Sequence, residues 1–237
     1  MHALKRYGER ITRYLAAVEN GADAEALRAL HAELKIGHTL DDMASLIDGT
    51  LEGAERVSDI VQDLRRYSTS QKEARRSFDL CETIRTATQW VVKASRVKPD
   101  VEYDLPESLE VVGRKGYVHQ ILVNLVQNAV DVMEHQAQPR LAFACRVDRG
   151  RALISVRDFG PGISKDSMKN VFDPFYTTKS VGKGTGLGLY ISYGLAKDLG
   201  GDLRAENHPR GGAVFTLEVP LDGQHNNGRD RDESDRN

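Results

Sequence analysis

Leu40, Met43, Ile47, Leu51, Ala54, Val57, Val61 and Leu64 follow one another at steps of three and four residues. That spacing keeps all eight on one side of an α-helix. The seam covers about seven turns and ends at Tyr67, longer than most globular helices run. Acidic and basic residues flank it, as they flank the contact line of a coiled coil or a helix bundle. A lone helix pair hides such a stripe poorly, so the seam predicts pairing with a second copy, a homodimer. The other reading is a long helix packed on its own globular domain.

The residues before the seam fit a helical region. Positions 1–76 hold no proline, and glycine only at 8, 21, 37, 49 and 53. Leu4, Tyr7, Ile11, Tyr14, Leu15 and Val18 predict an amphipathic helix over 1–19 that ends at Asn20-Gly21. Asp23 is placed to cap a short second helix carrying Leu27, Leu30 and Leu34, which stops near Gly37. Thr39 with Asp42 reads as a capping-box variant opening the long helix, with Asp41 and Asp42 suited to the positive end of its dipole.

Composition removes several function classes. Thirty-three Lys and Arg against 35 Asp and Glu leave a formal charge of −2, which gives no electrostatic case for nucleic acid. No apolar run approaches the roughly 20 residues of a membrane span. The first twenty residues mix Arg6, Arg10 and Arg13 with Glu9 and Glu19, unlike a secretory signal. The two cysteines, Cys81 and Cys145, exclude a disulfide framework and point to a reducing cytoplasm. Lys72, Arg75 and Arg76 read as a solvated basic linker. Residues 222–237 lack apolar side chains after Leu221 and are expected to be disordered.

Residues 77–221 change character. Strand composition occurs at 78–80, 101–105, 140–147, 152–157, 202–206 and 213–219. Helical spacing occurs at 81–93, 117–134 and 187–199. Asp148-Arg149-Gly150 joins two of the strands as a hairpin, so the sheet is at least partly antiparallel. The class is α+β, with helices on one face of the sheet.

Four stretches in this part carry chemistry. Asn124 and Asn128 lie four apart in an apolar helix, so both amides leave it on one side, and neutral oxygens suit a hard cation such as Mg²⁺. Asp158-Phe159-Gly160-Pro161-Gly162 follows a strand, where a fixed carboxylate can accept from a ligand amino group. Phe172-Asp173-Pro174-Phe175-Tyr176-Thr177-Thr178-Lys179 leads into Gly182-Lys183-Gly184-Thr185-Gly186-Leu187-Gly188-Leu189. Glycines at alternate positions ending at a helix start make an anion cradle, to which Lys179, Lys183 and Thr185 add donors. The run is neither a Walker loop nor a Rossmann turn. Gly211-Gly212-Ala213 turns into the last strand.

In this order the stretches resemble the N, G1, F, G2 and G3 boxes of the ATP-binding family that unites histidine kinases, Hsp90-type chaperones, type II topoisomerases and MutL-type proteins. The resemblance implies a Bergerat-type α/β sandwich over residues 77–221. It implies that Asn128 binds the Mg²⁺ bridging the ATP phosphates, supported by Asn124. Asp158 would take the adenine amino group, and Gly160 and Gly162 would shape the base pocket. Phe175, Thr177, Thr178, Lys179, Gly182, Lys183, Gly184, Thr185, Gly186, Leu187 and Gly188 would form the remaining ATP contacts. Asp131, three residues after Asn128, stands where many members carry a basic residue.

The Tyr-Thr-Thr-Lys and Gly-Thr-Gly-Leu-Gly-Leu runs, with a long helix ending Asp63-Leu64-Arg65-Arg66-Tyr67-Ser68, look like a two-component sensor histidine kinase. Residues 1–76 then correspond to a dimerisation hairpin, two copies of which form a four-helix bundle, and the implied partner is a response regulator receiver domain. The kinase signature of His, an acidic residue and a proline four further on is absent. His2, His31, His38, His119, His135, His208 and His225 lack that context; His31 and His38 are expected between helices, with His119 opening and His135 closing the Asn128 helix. The expectation is a kinase core lacking its acceptor histidine and the start of its first helix, which binds Mg-ATP and phosphorylates itself poorly. A nucleotide-dependent dimeric binding module and an anti-sigma-type serine kinase are the alternatives.

Overall fold

The computed structural model describes residues 2–70, 73–179 and 184–222. The expectation about the 222–237 tail falls almost entirely outside them. Contacts divide the chain into two units, Met1–Asp59 and Ile60–Asn237.

The first unit begins with α1 (His2–Glu19) and α2 (Ala24–Glu33), followed by α3 (Ile36–Ser70), which runs on past its end. Gly21, with φ of +73°, closes α1, and the Asp23 carboxylate caps α2 by accepting from the Glu25 and Ala26 N–H groups. Between α2 and α3 the sequence expectation fails. The turn is made by Lys35 in the left-handed region, with φ of +49°, and not by Gly37, which lies inside α3. Thr39 is no cap. It is buried within α3, where its hydroxyl donates to the Leu34 carbonyl and accepts from Arg10. Leu34 and Ile36, on either side of Lys35, are buried, and α3 starts at Ile36 and not at the Thr39 capping pattern. His31 and His38 therefore sit within α2 and α3 and not between them. Most seam residues of α3, including Leu40, Ile47, Leu51, Val57 and Val61, are exposed.

The second unit holds β1 (Arg76–Asp79), α4 (Leu80–Ala94), β2 (Asp100–Asp104), β3 (Glu110–Gly113) and α5 (Lys115–Val132). It continues through β4 (Arg140–Asp148), β5 (Arg151–Asp158), α6 (Lys165–Asn170), α7 (Gly188–Asp198), β6 (Asp202–Asn207) and β7 (Ala213–Pro220). Five strands form one sheet in the order β2-β4-β5-β7-β6, and β1 pairs with β3 in a second. Among the described residues only β2 runs parallel to its neighbour, β4; the pairs β4–β5, β5–β7 and β7–β6 are antiparallel. The β4–β5 hairpin turns at Arg149 and Gly150, both with positive φ, as Asp-Arg-Gly predicts.

Strand alternation explains the layers. In β5, Ala152, Ile154 and Val156 are buried while Arg151, Leu153, Ser155 and Arg157 are half-buried on the other face. The buried face meets Ile121, Leu122 and Leu125 of α5, Ile84 and Ala87 of α4 and Ile191 and Leu195 of α7 in one core. Helix α5 begins two residues before the expected position and ends before His135, so His119 lies in its second turn and His135 beyond it. Strand β3 and helix α6 carry too little local signal to be foreseen. Cys81 and Cys145 are buried thiols, and burial pushes Cys145 up to about 11.

Candidate nucleotide site

Helix α5 is the spine of the site. Asn124, Asn128 and Asp131 leave it on one side, since steps of four and three residues nearly complete whole turns. The two asparagines have different surroundings. The Asn124 amide donates to the Gly188 carbonyl and the Ser192 hydroxyl, both at 3.1 Å, and so ties α5 to the first turn of α7. Asn128 Oδ1 instead faces the Lys179 ammonium at 3.4 Å. That ammonium also lies 2.5 Å from Asp131 Oδ2, while Asp131 Oδ1 accepts from Gln127 at 2.7 Å.

Asp158 ends β5 at 5% exposure. Its Oδ1 accepts from the Gly160 N–H at 2.8 Å and the Ala213 N–H at 3.1 Å. Burial raises its carboxyl above the ordinary range, partly offset by those two N–H groups. Both bonds fall on Oδ1, and among the described residues Oδ2 is left for a ligand donor. The turn is held from two further sides. Asn207 clamps Ile163 through both its amide atoms, at 2.8 and 2.7 Å, and Gln136 donates to the Phe159 carbonyl. The guanidinium groups of Arg140 and Arg157 each lie over the Phe159 ring, 4.5 and 4.1 Å from its centre. Gly212 must be glycine, because its φ is +85° and a Cβ there would lie 2.0 Å from the Asp158 carbonyl oxygen.

The third wall starts at Phe175, an exposed side chain on a backbone with φ of +66°. Its N–H donates to the Gly186 carbonyl at 3.0 Å. A Cβ on Gly186 would lie 2.4 Å from the Phe175 carbonyl carbon, so glycine permits this closure. Within it, Thr177 Oγ1 accepts from the Lys179 N–H, and Gly184 packs against both residues. Thr178 lies between Thr177 and Lys179 on the same segment. Thr185 Oγ1 accepts from the Leu187 N–H just ahead of α7, and Leu187 is buried. Gly182 and Lys183 fall outside the described residues.

The three walls meet at α5. Val132, one turn beyond Asn128, would touch a Cβ on Gly160 at 3.0 Å, so the Asp158 turn abuts the same helix that receives Lys179 and holds α7. Asn207, Ser192, Gln127 and Gln136 were not foreseen. Each is a common polar residue whose partner cannot be read from local spacing, apart from the Gln127–Asp131 pair at four residues.

Comparison with known proteins bears on the family and the fold. Residues 113–223 match the family model described as histidine kinase-, DNA gyrase B-, and HSP90-like ATPase. The catalytic domain of histidine kinase ThkA aligns at 30% identity and a TM-score of 0.57, over 63% of this chain and 97% of that domain. The chain belongs to the histidine kinase-type ATPases. The C4-dicarboxylate transport sensor protein DctB of Pseudomonas aeruginosa is 32% identical over 86% of this chain and 33% of its own length. DctB of Rhizobium meliloti is 31% identical over 71% of this chain and 27% of its own. The chain thus spans about a third or less of these sensor proteins. The ATP-binding core of the histidine kinase family is the α/β part described above, preceded by helices. No helix among the described residues is long and apolar enough to cross a membrane.

Proposed function

We propose that the chain binds Mg-ATP against α5 and is the catalytic core of a two-component sensor histidine kinase. The observation that carries this reading is Asp158. A carboxylate buried at this cost, with one oxygen committed to backbone N–H groups and the other left over, is suited to a ligand amino group such as that of adenine. Asn128 fits the cation, because its amide oxygen already faces an ammonium group beside a carboxylate. Mg²⁺ held there would screen the phosphate charge and orient the terminal phosphoryl group. Lys179, Thr177, Thr178 and the amides leading into α7 would carry the phosphates, with the positive end of α7 pointing at them.

The reaction would break the bond between the β,γ-bridging oxygen and the γ-phosphorus and join that phosphorus to an imidazole nitrogen, releasing ADP. The acceptor histidine is not identified in this sequence. The phosphoryl group would pass on to an aspartate of a response regulator receiver domain, in the cytoplasm. The exposed seam of α3 supports a homodimer through the helical hairpin. The missing kinase signature favours one second reading, a dimeric module whose partner choice depends on bound nucleotide.

Incubation with γ-labelled Mg-ATP, beside calorimetric ATP binding, tests the proposal. Expected are ATP binding that Asn128→Ala weakens by about tenfold or more and no acid-labile label on the chain itself. Label on His2, His31 or His38 would overturn the expectation of poor self-phosphorylation. Absence of ATP binding would overturn the nucleotide reading.

A further inference from the structure

Asp131 is acidic where the resemblance leads to a basic side chain, and it lies one turn from the amide assigned to the cation. An isolated carboxylate there would repel a triphosphate. It is not isolated. Gln127 holds Oδ1 at 2.7 Å and the Lys179 ammonium holds Oδ2 at 2.5 Å. Lys179 comes from the connection between α6 and α7, 48 residues along the chain, and its side chain and that of Asp131 are each about one-third exposed. The same ammonium donates to Asn128 Oδ1, so two oxygens from one helix face fix it at one point. An ammonium group has three N–H donors. Among the described residues two are engaged, one by Asp131 and one, at 3.4 Å, by Asn128, and cation binding at Asn128 Oδ1 would release the second for a phosphate oxygen.

We propose that Asp131 is a positioning residue, holding the Lys179 ammonium on this face of α5 so that the lysine meets the nucleotide phosphates already ordered. The inference rests on the nucleotide reading given above. A lysine side chain loses several rotatable bonds when it is fixed, and a partner that fixes it beforehand removes that loss from binding. Gln127 serves the same end by orienting the carboxylate from one turn earlier on α5. The basic group missing from α5 is thereby supplied from the Thr-Thr-Lys segment, with the acid on the helix as its anchor.

Simple charge and positioning predict opposite signs, which makes the proposal testable. Calorimetric titration of ATP with excess Mg²⁺ would compare the native chain, Asp131→Asn, Lys179→Met and the double variant. Asp131→Asn is expected to weaken binding about two- to fivefold, although it removes a negative charge near an anionic ligand. In the Lys179→Met background the same change is expected to tighten binding, because a carboxylate without its lysine only repels phosphate. Asp131→Glu should retain most of the native affinity, and thermal unfolding of every variant checks that the fold is kept. If Asp131→Asn does not fold, Gln127→Ala loosens the same carboxylate and should change affinity with the same signs at smaller size. Tighter binding by Asp131→Asn in the native background, equal effects in both backgrounds, or no effect in either would overturn the role of Asp131. A native chain that binds no ATP overturns the nucleotide reading itself, so the two failures are distinguishable.

Discussion

The two units spend their apolar residues differently. In the second, Leu122 and Leu125 of α5 are 0% exposed and meet α4, α7 and the sheet in one continuous core. In the first, Leu51 and Val57 of α3 are 57% and 61% exposed, although they lie on the most regular apolar pattern in the sequence. Regular patterning and burial are therefore separable. The sheet unit satisfies its pattern within one chain, whereas the long helix presents a surface that only another surface can complete.

The strongest way to break this contrast is to truncate one leucine in each unit. Leu122→Ala should cost the sheet unit about 3 kcal/mol, read as a lower midpoint in denaturant. Leu51→Ala should leave that midpoint unchanged and instead weaken self-association in sedimentation experiments. If Leu51→Ala destabilised the chain as much as Leu122→Ala at concentrations below dimerisation, the seam would be a core after all.

The two aspartate caps sharpen it. Asp23 caps α2 through two exposed bonds. Asp79 caps α4 through Cys81 and Glu82 and also accepts from the Leu109 N–H, joining the helix to the approach to β3. Asp79→Ala should cost about 1–2 kcal/mol and Asp23→Ala about half of that. Burial raises the Asp79 carboxyl, but the N–H groups of Leu109, Cys81 and Glu82 and the Ser108 hydroxyl outweigh it and hold it below the ordinary range. Its contribution is therefore present above the unfolded carboxylate pKa and is lost as pH falls through the lowered value. Urea denaturation across acidic pH should show that loss in native protein and not in Asp79→Ala.

The smallest expected effect concerns Asp158, where burial and stability part company inside the sheet unit. Its raised carboxyl favours folding below the unfolded pKa, and that advantage disappears as pH rises through the raised value. Asp158→Asn keeps an oxygen for the Gly160 and Ala213 N–H groups and removes the buried charge. The thermal midpoint should rise slightly at neutral pH, with the gain shrinking in acid, while ATP affinity falls. A lower midpoint at neutral pH would mean that the carboxylate is a structural bond and not a binding group held at a cost.

What the sequence revealed follows from how local each signal is. The α5 and α7 helices, the β4–β5 hairpin and the order of glycine and asparagine stretches were legible, because 3.6-residue spacing and turn chemistry act within a few positions. The start of α3 was not. Thr39 looks like a cap by its neighbours but is buried by contacts that include Arg10, 29 residues away. Strand β3 is four residues long and defined by pairing with β1. Asn124 and Asn128 look equivalent at a spacing of four. Only the approach of Ser192, 68 residues on, and of Lys179, 51 residues on, gives them different partners.

One bond joins residues far apart in synthesis. Ala213 donates to Asp158 across 55 positions, and β5 and β7 are sheet neighbours on either side of that interval. Apart from α5, every wall of the site is encoded between them. A growing chain can therefore complete its helices, its hairpin and its glycine turns and still have no site, because closing so long a loop must await the last strand. Acquisition of the ligand would then mark, on the ribosome, the moment at which β7 has emerged and docked.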